Sequence, residues 1–213
     1  MTGVEILKQE SHPSAKFELF QRLNTGGAKL SEQEVRNCVA VMINKDFYDW
    51  IVERASFAPF LAAVCQTDSA LEKQAAVELV LRYLAFFHVD YDGKMDVHEY
   101  LDAALIQLAR DEEIDWEEEQ EHFERTFTLL RDSLGADAFK RWDGVSFGGK
   151  FLMSVYEIIG YGVAYHLEEI DALDDPVKFI RDKAEKLWSE ATFKRYSGAG
   201  AVSYTHLTLP TKA

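Results

Sequence analysis

Asn24-Thr25-Gly26-Gly27, inside the run FELFQRLNTGGAKLSEQEVRN from Phe17 to Asn37, sets two adjacent glycines between segments of helical period. Such a turn has two uses: its amides can cradle a phosphate, or it can stop one helix and start another. Two further strings invite chemistry. GGK in FGGKF, Gly148 to Lys150, resembles a fragment of a phosphate loop but lacks the GxxxxGK[ST] spacing, and a helix-starting turn accounts for it. HVDYDGKMDVHE, His88 to Glu99, puts Asp90, Asp92, Gly93, Asp96 and Glu99 at acidic or glycine positions of an EF-hand loop. Its first position, however, is His88, where a hard cation needs a carboxylate oxygen. With no second loop of this kind to pair with, a polar interhelical turn is the better reading. No HExxH and no Cys/His ligand spacing occurs, so a metal has no support, and no catalytic nucleophile, base and orienter share a local motif.

The elements that must position these residues are helical almost throughout. Phe17, Leu19, Phe20 and Leu23 give a helix from about Ser14, started by Pro13 and stopped by Asn24 to Gly27. Ser31 and Glu34, three apart, form a capping box that opens the next helix. Helices follow over Asp46 to Arg54, Pro59 to Cys65, Ala70 to Phe87, Asp96 to Ala109, Trp116 to Leu134, Phe151 to Leu167 and Pro176 to Ala191. WDGVSFGGK is read as the loop before the Phe151 helix. On the long helix Glu78 and Arg82 lie four residues apart, placed for a structural ion pair. VEILKQ, Val4 to Gln9, alternates apolar and polar residues as one short strand does. The fold class is therefore mainly α, a bundle of about seven to nine helices with one short N-terminal strand.

Composition excludes several function classes. The chain of 213 residues is 47% hydrophobic and 13% aromatic, enough for a packed core. No apolar run is long enough for a membrane span and no signal peptide opens the chain, so no membrane partner and a cytoplasmic location are expected. Cys38 and Cys65 stand far apart in apolar surroundings and are read as buried free thiols. The net charge is −14, and eight acidic residues crowd DEEIDWEEEQE, Asp111 to Glu121. Such a block repels phosphate, so no direct nucleic-acid footprint is expected there. Its ordinary use is as a solvated loop and a helix start, where acids favour the helix dipole.

RLNTGGAKLSEQEVRN resembles the signature in the second half of the GmrSD-type N-terminal domain family, also called domain of unknown function 262. The matching positions are Phe20, Arg22, Leu23, Asn24, Thr25, Gly26, Gly27, Leu30, Gln33, Glu34, Val35, Arg36 and Asn37. The likeness continues through EKQAAVELVLRYLAFF and the Phe151 to Leu167 segment, and spans residues 4–200 as the helical half of that domain. The resemblance implies a nucleotide pocket to which Arg22, Asn24, Thr25, Gly26, Gly27 and Arg36 contribute, with Arg22 and Arg36 pairing with phosphate or bracing a loop through a carboxylate. It further implies a restriction, or phage-defence, protein in which nucleoside triphosphate with Mg is bound or hydrolysed and DNA and a nuclease domain or subunit are partners.

The family's first half is a ParB-like fold with an Asp-Gly-Gln-Gln-Arg motif, and no such string occurs in these residues. The expectation is a fragment whose Val4 to Gln9 strand is left over from a truncated ParB-like α/β core, without a cofactor and inactive alone. The other expectation, from a different class, is a free-standing acidic helical protein-interaction module. VSYTHLTLPT, Val202 to Thr211, reads as a translated transposase sequencing adapter, so residues 201–213 are expected to be a disordered artefact tail.

Overall fold

A computed structural model describes residues 30–64, 74–91 and 93–196. The expected strand Val4 to Gln9, the helix from Ser14 and the tail 201–213 lie outside them. What is described is mainly helical, as the sequence period predicts. The elements are α1 (Glu32–Ile43), α2 (Lys45–Ala55), α3 (Ala58–Val64), α4 (Gln74–His88), α5 (Val97–Leu108) and α6 (Trp116–Leu134). A short hairpin of β1 (Arg141–Trp142) and β2 (Phe147–Gly148) precedes α7 (Met153–Val155), a π turn over Tyr156–Gly160, α8 (Tyr161–Tyr165), α9 (Leu167–Asp171), α10 (Pro176–Leu187) and α11 (Ala191–Tyr196).

Local chemistry sets most of these boundaries. The Glu34 amide donates to Ser31 Oγ at 3.3 Å and the Ser31 amide donates to Glu34 Oε2 at 2.6 Å, so the capping box that opens α1 is complete. Asn44 ends α1 and begins α2: its Oδ1 accepts from the Phe47 amide at 3.1 Å while its Nδ2 donates to the Ala109 carbonyl at 3.0 Å, tying the junction to the end of α5. In the acidic block, Asp115 Oδ1 accepts from the Glu117 and Glu118 amides at 3.0 and 3.2 Å and starts α6. Glu119 departs from the expected solvated face: it turns inward, 5% exposed, and meets His88 Nε2 at 2.8 Å.

Three segments differ from the sequence expectation. WDGVSFGGK is a hairpin, not a loop, with Arg141 opposite Gly148 and Trp142 opposite Phe147. Asp143 Oδ1 accepts from the Val145 and Ser146 amides, both at 2.8 Å, and Gly144 takes φ 105°, which a side chain resists. Gly148 of GGK therefore belongs to a strand. The apolar helix over Phe151 to Leu167 is widened by the π turn and restarts at Leu167; uniform apolarity hid the break. The last long helix ends at Leu187, and Ala191 begins a separate one. Cys38 is also partly exposed, not buried, while Cys65 lies outside the described residues.

The core is built around α6. Phe123 and Phe127, four apart on one face, have ring centroids 4.5 Å from each other. Phe60 of α3 meets Phe127 edge-on at 4.8 Å, and Tyr83 of α4 meets Phe123 edge-on at 5.1 Å. Helices α3 and α10 pack along α6, and α4 packs on α2, α5 and the π turn. Tyr100 of α5 donates its hydroxyl to the Ala85 and Val89 carbonyls at 2.7 and 2.8 Å, closing the end of α4. Burial pushes that phenol far above its ordinary range.

Candidate functional site

Two arginines on neighbouring helices organise the polar interior. Arg36 of α1 follows Gln33 by three residues and Glu32 by four, so these side chains share one helix face. Its side chain is fully buried, and its Nε donates to Asp102 Oδ1 of α5 at 2.7 Å. Nη1 donates to Gln33 Oε1 at 3.4 Å, and Gln33 Nε2 in turn donates to Asn37 Oδ1 at 2.8 Å. Gln33, Arg36 and Asn37 therefore interlock. His98 Nδ1 lies 2.7 Å from Glu32 Oε2 and 3.3 Å from Arg36 Nη2, which also reaches the His98 carbonyl at 3.4 Å. Burial pushes the Asp102 carboxyl above its ordinary value, and the Arg36 guanidinium opposes that rise.

Arg82 of α4 is the second centre. Its Nε and Nη2 both donate to Glu78 Oε1, at 2.9 and 2.7 Å, as the spacing of four predicts. Its Nη1 donates to Glu157 Oε1 at 2.7 Å, and Glu157 sits on the π turn. Burial works against the Arg82 charge, but Glu157 and Glu78 together hold its guanidinium above its ordinary value. Glu78 Oε2 is also 4.0 Å from Arg36 Nη1. A chain of alternating charges, Asp102, Arg36, Glu78, Arg82 and Glu157, thus joins α5, α1, α4 and the π turn.

A crevice beside this chain is lined by Arg82, Phe86, Tyr156, Glu157, Gly160 and Tyr161 and has room for about one water molecule. The arrangement holds elements in register; it is too small for a nucleotide. No family model matches the chain, and neither a curated protein nor a solved structure matches it.

The sequence-predicted residues fall into two groups. Ser31, Glu34, Glu78 and Arg82 make the pairs expected of them. Arg36 faces carboxylates among the described residues, while Arg22, Asn24, Thr25, Gly26 and Gly27 lie outside them. The sequence reading missed Asp102, His98 and Glu157. Glu157 carried a signal: it is the lone acid in FLMSVYEIIGYGVAY, and a charge in so apolar a run needs a partner. In the EF-hand-like loop His88 is engaged by Glu119, Asp96 caps α5 by accepting from the His98 amide at 2.8 Å, and Tyr91 donates to the Met95 carbonyl at 2.9 Å. Among the described residues no group of three or more His, Cys, Asp or Glu side chains could hold a metal ion. Nor is any described helix long and apolar enough to cross a membrane.

Proposed function

We propose that this chain is the helical half of a GmrSD N-terminal-type domain of a DNA restriction protein, working with a ParB-like portion that carries the Asp-Gly-Gln-Gln-Arg motif. The observation that carries the reading is the run from Phe20 to Asn37, and it finds support in the described part of that run. Glu34 completes the cap of α1, and Gln33 and Arg36, both buried, interlock with the partly buried Asn37. Side chains so interlocked hold the start of α1 rigid, which is what a ligand-binding turn just before it requires. In this reading nucleoside triphosphate and Mg bind at the junction of the two halves, with Arg22 and the Asn24 to Gly27 turn on the helical side. DNA contact and nuclease activity belong to other parts of the protein.

Sequencing the locus from intact DNA across both ends of the reading frame tests this. An in-frame Asp-Gly-Gln-Gln-Arg upstream is the expected result, and nucleotide hydrolysis by the longer product, weakened by Arg22→Ala, follows from it. A stop codon directly before Met1 overturns it. The second reading, an acidic interaction module, is favoured by Leu173 and Val177, 40% and 37% exposed within the acidic stretch EEIDALDDPVK. That stop codon, together with a soluble monodisperse product, would favour it.

A further inference from the structure

The π turn over Tyr156–Gly160 holds one more residue than an α-helical turn, and its five positions show which one is extra. Tyr156, Glu157, Ile159 and Gly160 are buried, whereas Ile158 is only partly so. The widening lets two consecutive residues face α4: Tyr156 donates its hydroxyl to the Leu79 carbonyl at 2.6 Å and Glu157 accepts from Arg82. In an α-helix neighbours in sequence point about 100° apart and do not share a face in this way.

The alternative register is readily constructed. Running back from Tyr161 with α geometry, the place that Tyr156 occupies falls to Glu157. That place is walled by Phe127, Phe139 and Phe151, with ring centroids 6.3, 5.0 and 5.9 Å from that of Tyr156. A carboxylate cannot settle there without losing its partner and its solvation. The segment that would shift is short, since α7 is only three residues long, and a side chain built on Gly160 would meet nothing within 4 Å.

We propose that the π turn is a two-register element locked in its wide form by the Arg82–Glu157 bond. The lock is reachable from α1, because Glu78 holds Arg82 and also approaches Arg36, so a change at the start of α1 bears on the turn through Glu78. The device stands on this geometry and does not depend on the nucleotide reading above.

Amide hydrogen exchange on the full chain tests it, comparing residues 153–161 with residues 123–130 of α6. Glu157→Gln keeps the shape but weakens the bond, and it is expected to speed exchange in 153–161 at least tenfold relative to 123–130. Deleting Ile158 restores α register with both flanks in place but gives up the Arg82–Glu157 bond, so that variant is expected to lose less Tm than one lacking the exposed Glu121 of α6, whose deletion rotates a core helix. With Ile158 deleted, Glu157→Gln no longer speeds exchange in 153–161. Unchanged exchange in Glu157→Gln, equal acceleration in both segments, the same acceleration in both backgrounds, or a Tm loss on deleting Ile158 as large as that for Glu121 overturns the proposal. The Ile158 deletion decides the matter even if Glu157→Gln fails to fold.

Discussion

Asp102 shows how much of this interior rests on single carboxylates. Its side chain is one-quarter exposed, but the Arg36 guanidinium it serves is fully buried. Asp102→Ala leaves that cation short of a partner at 2.7 Å, and we expect a loss of about 2 to 3 kcal/mol by urea denaturation, less than a wholly enclosed pair would cost. Arg36→Met combined with Asp102→Leu removes both charges and fills similar volume, so the double variant is expected to lose less than the sum of the single changes. Additive losses would show that the two side chains do not act as a pair. The Arg36 guanidinium faces Asp102, Glu78 and Gln33, so the loss of any one of them is shared among the others.

At the scale of elements, the helix caps and the hairpin can be tested separately. Ser31→Ala removes the acceptor for the Glu34 amide and is expected to destabilise α1 by about 1 kcal/mol, measured by denaturation. In the hairpin, the Ser146 and Val145 amides hold the Asp143 carboxyl below its ordinary 3.8. A depressed carboxylate contributes stability that is present above its unfolded value and lost as pH falls through its folded one. The Trp142–Phe147 ring contact at 4.8 Å is thus expected to loosen only below about pH 4, read by tryptophan fluorescence, with Trp142→Phe supplying the baseline of the other tryptophans. Asp143→Ala loosens it at neutral pH as well. These devices also show what the sequence made legible. Ser31 with Glu34 and Glu78 with Arg82 were readable because three- and four-residue spacings fix neighbours on a helix. Asp102 and Glu157 were not, since they lie 66 and 75 residues from their arginines and periodicity names a face without naming what covers it. The π turn was hidden for a related reason: one extra residue in an evenly apolar run leaves the pattern unbroken. WDGVSFG carried its hairpin openly, with Asp-Gly between aromatic residues, but a two-residue strand is too short for alternation to register.

For the whole molecule, a shared aromatic core works against a shared charge. Phe123 touches Trp50, Phe60, Tyr83 and Phe127, rings from three helices besides its own. Phe123→Ala is accordingly expected to cost about 3 to 5 kcal/mol, more than any polar change above. Opposing this cohesion is a net charge of −14, whose self-repulsion is felt most when the ions around it are dilute. Screening length falls from about 30 Å at 0.01 M salt to about 8 Å at 0.15 M, so Tm is expected to rise over that interval and then level off. Buried pairs such as Arg82 with Glu157 are screened little, and their contribution stays nearly constant across the same range. A Tm that falls with salt would mean that surface attractions such as Arg125 with Asp171 outweigh the repulsion. The same excess of acid argues against the phosphate backbone as a direct partner: no retardation of duplex DNA is expected in a gel at about 50 mM salt, where basic proteins bind strongly. DNA binding that weakens steeply with salt would place a cationic surface on this chain and move nucleic-acid contact from the rest of the proposed restriction protein to these helices.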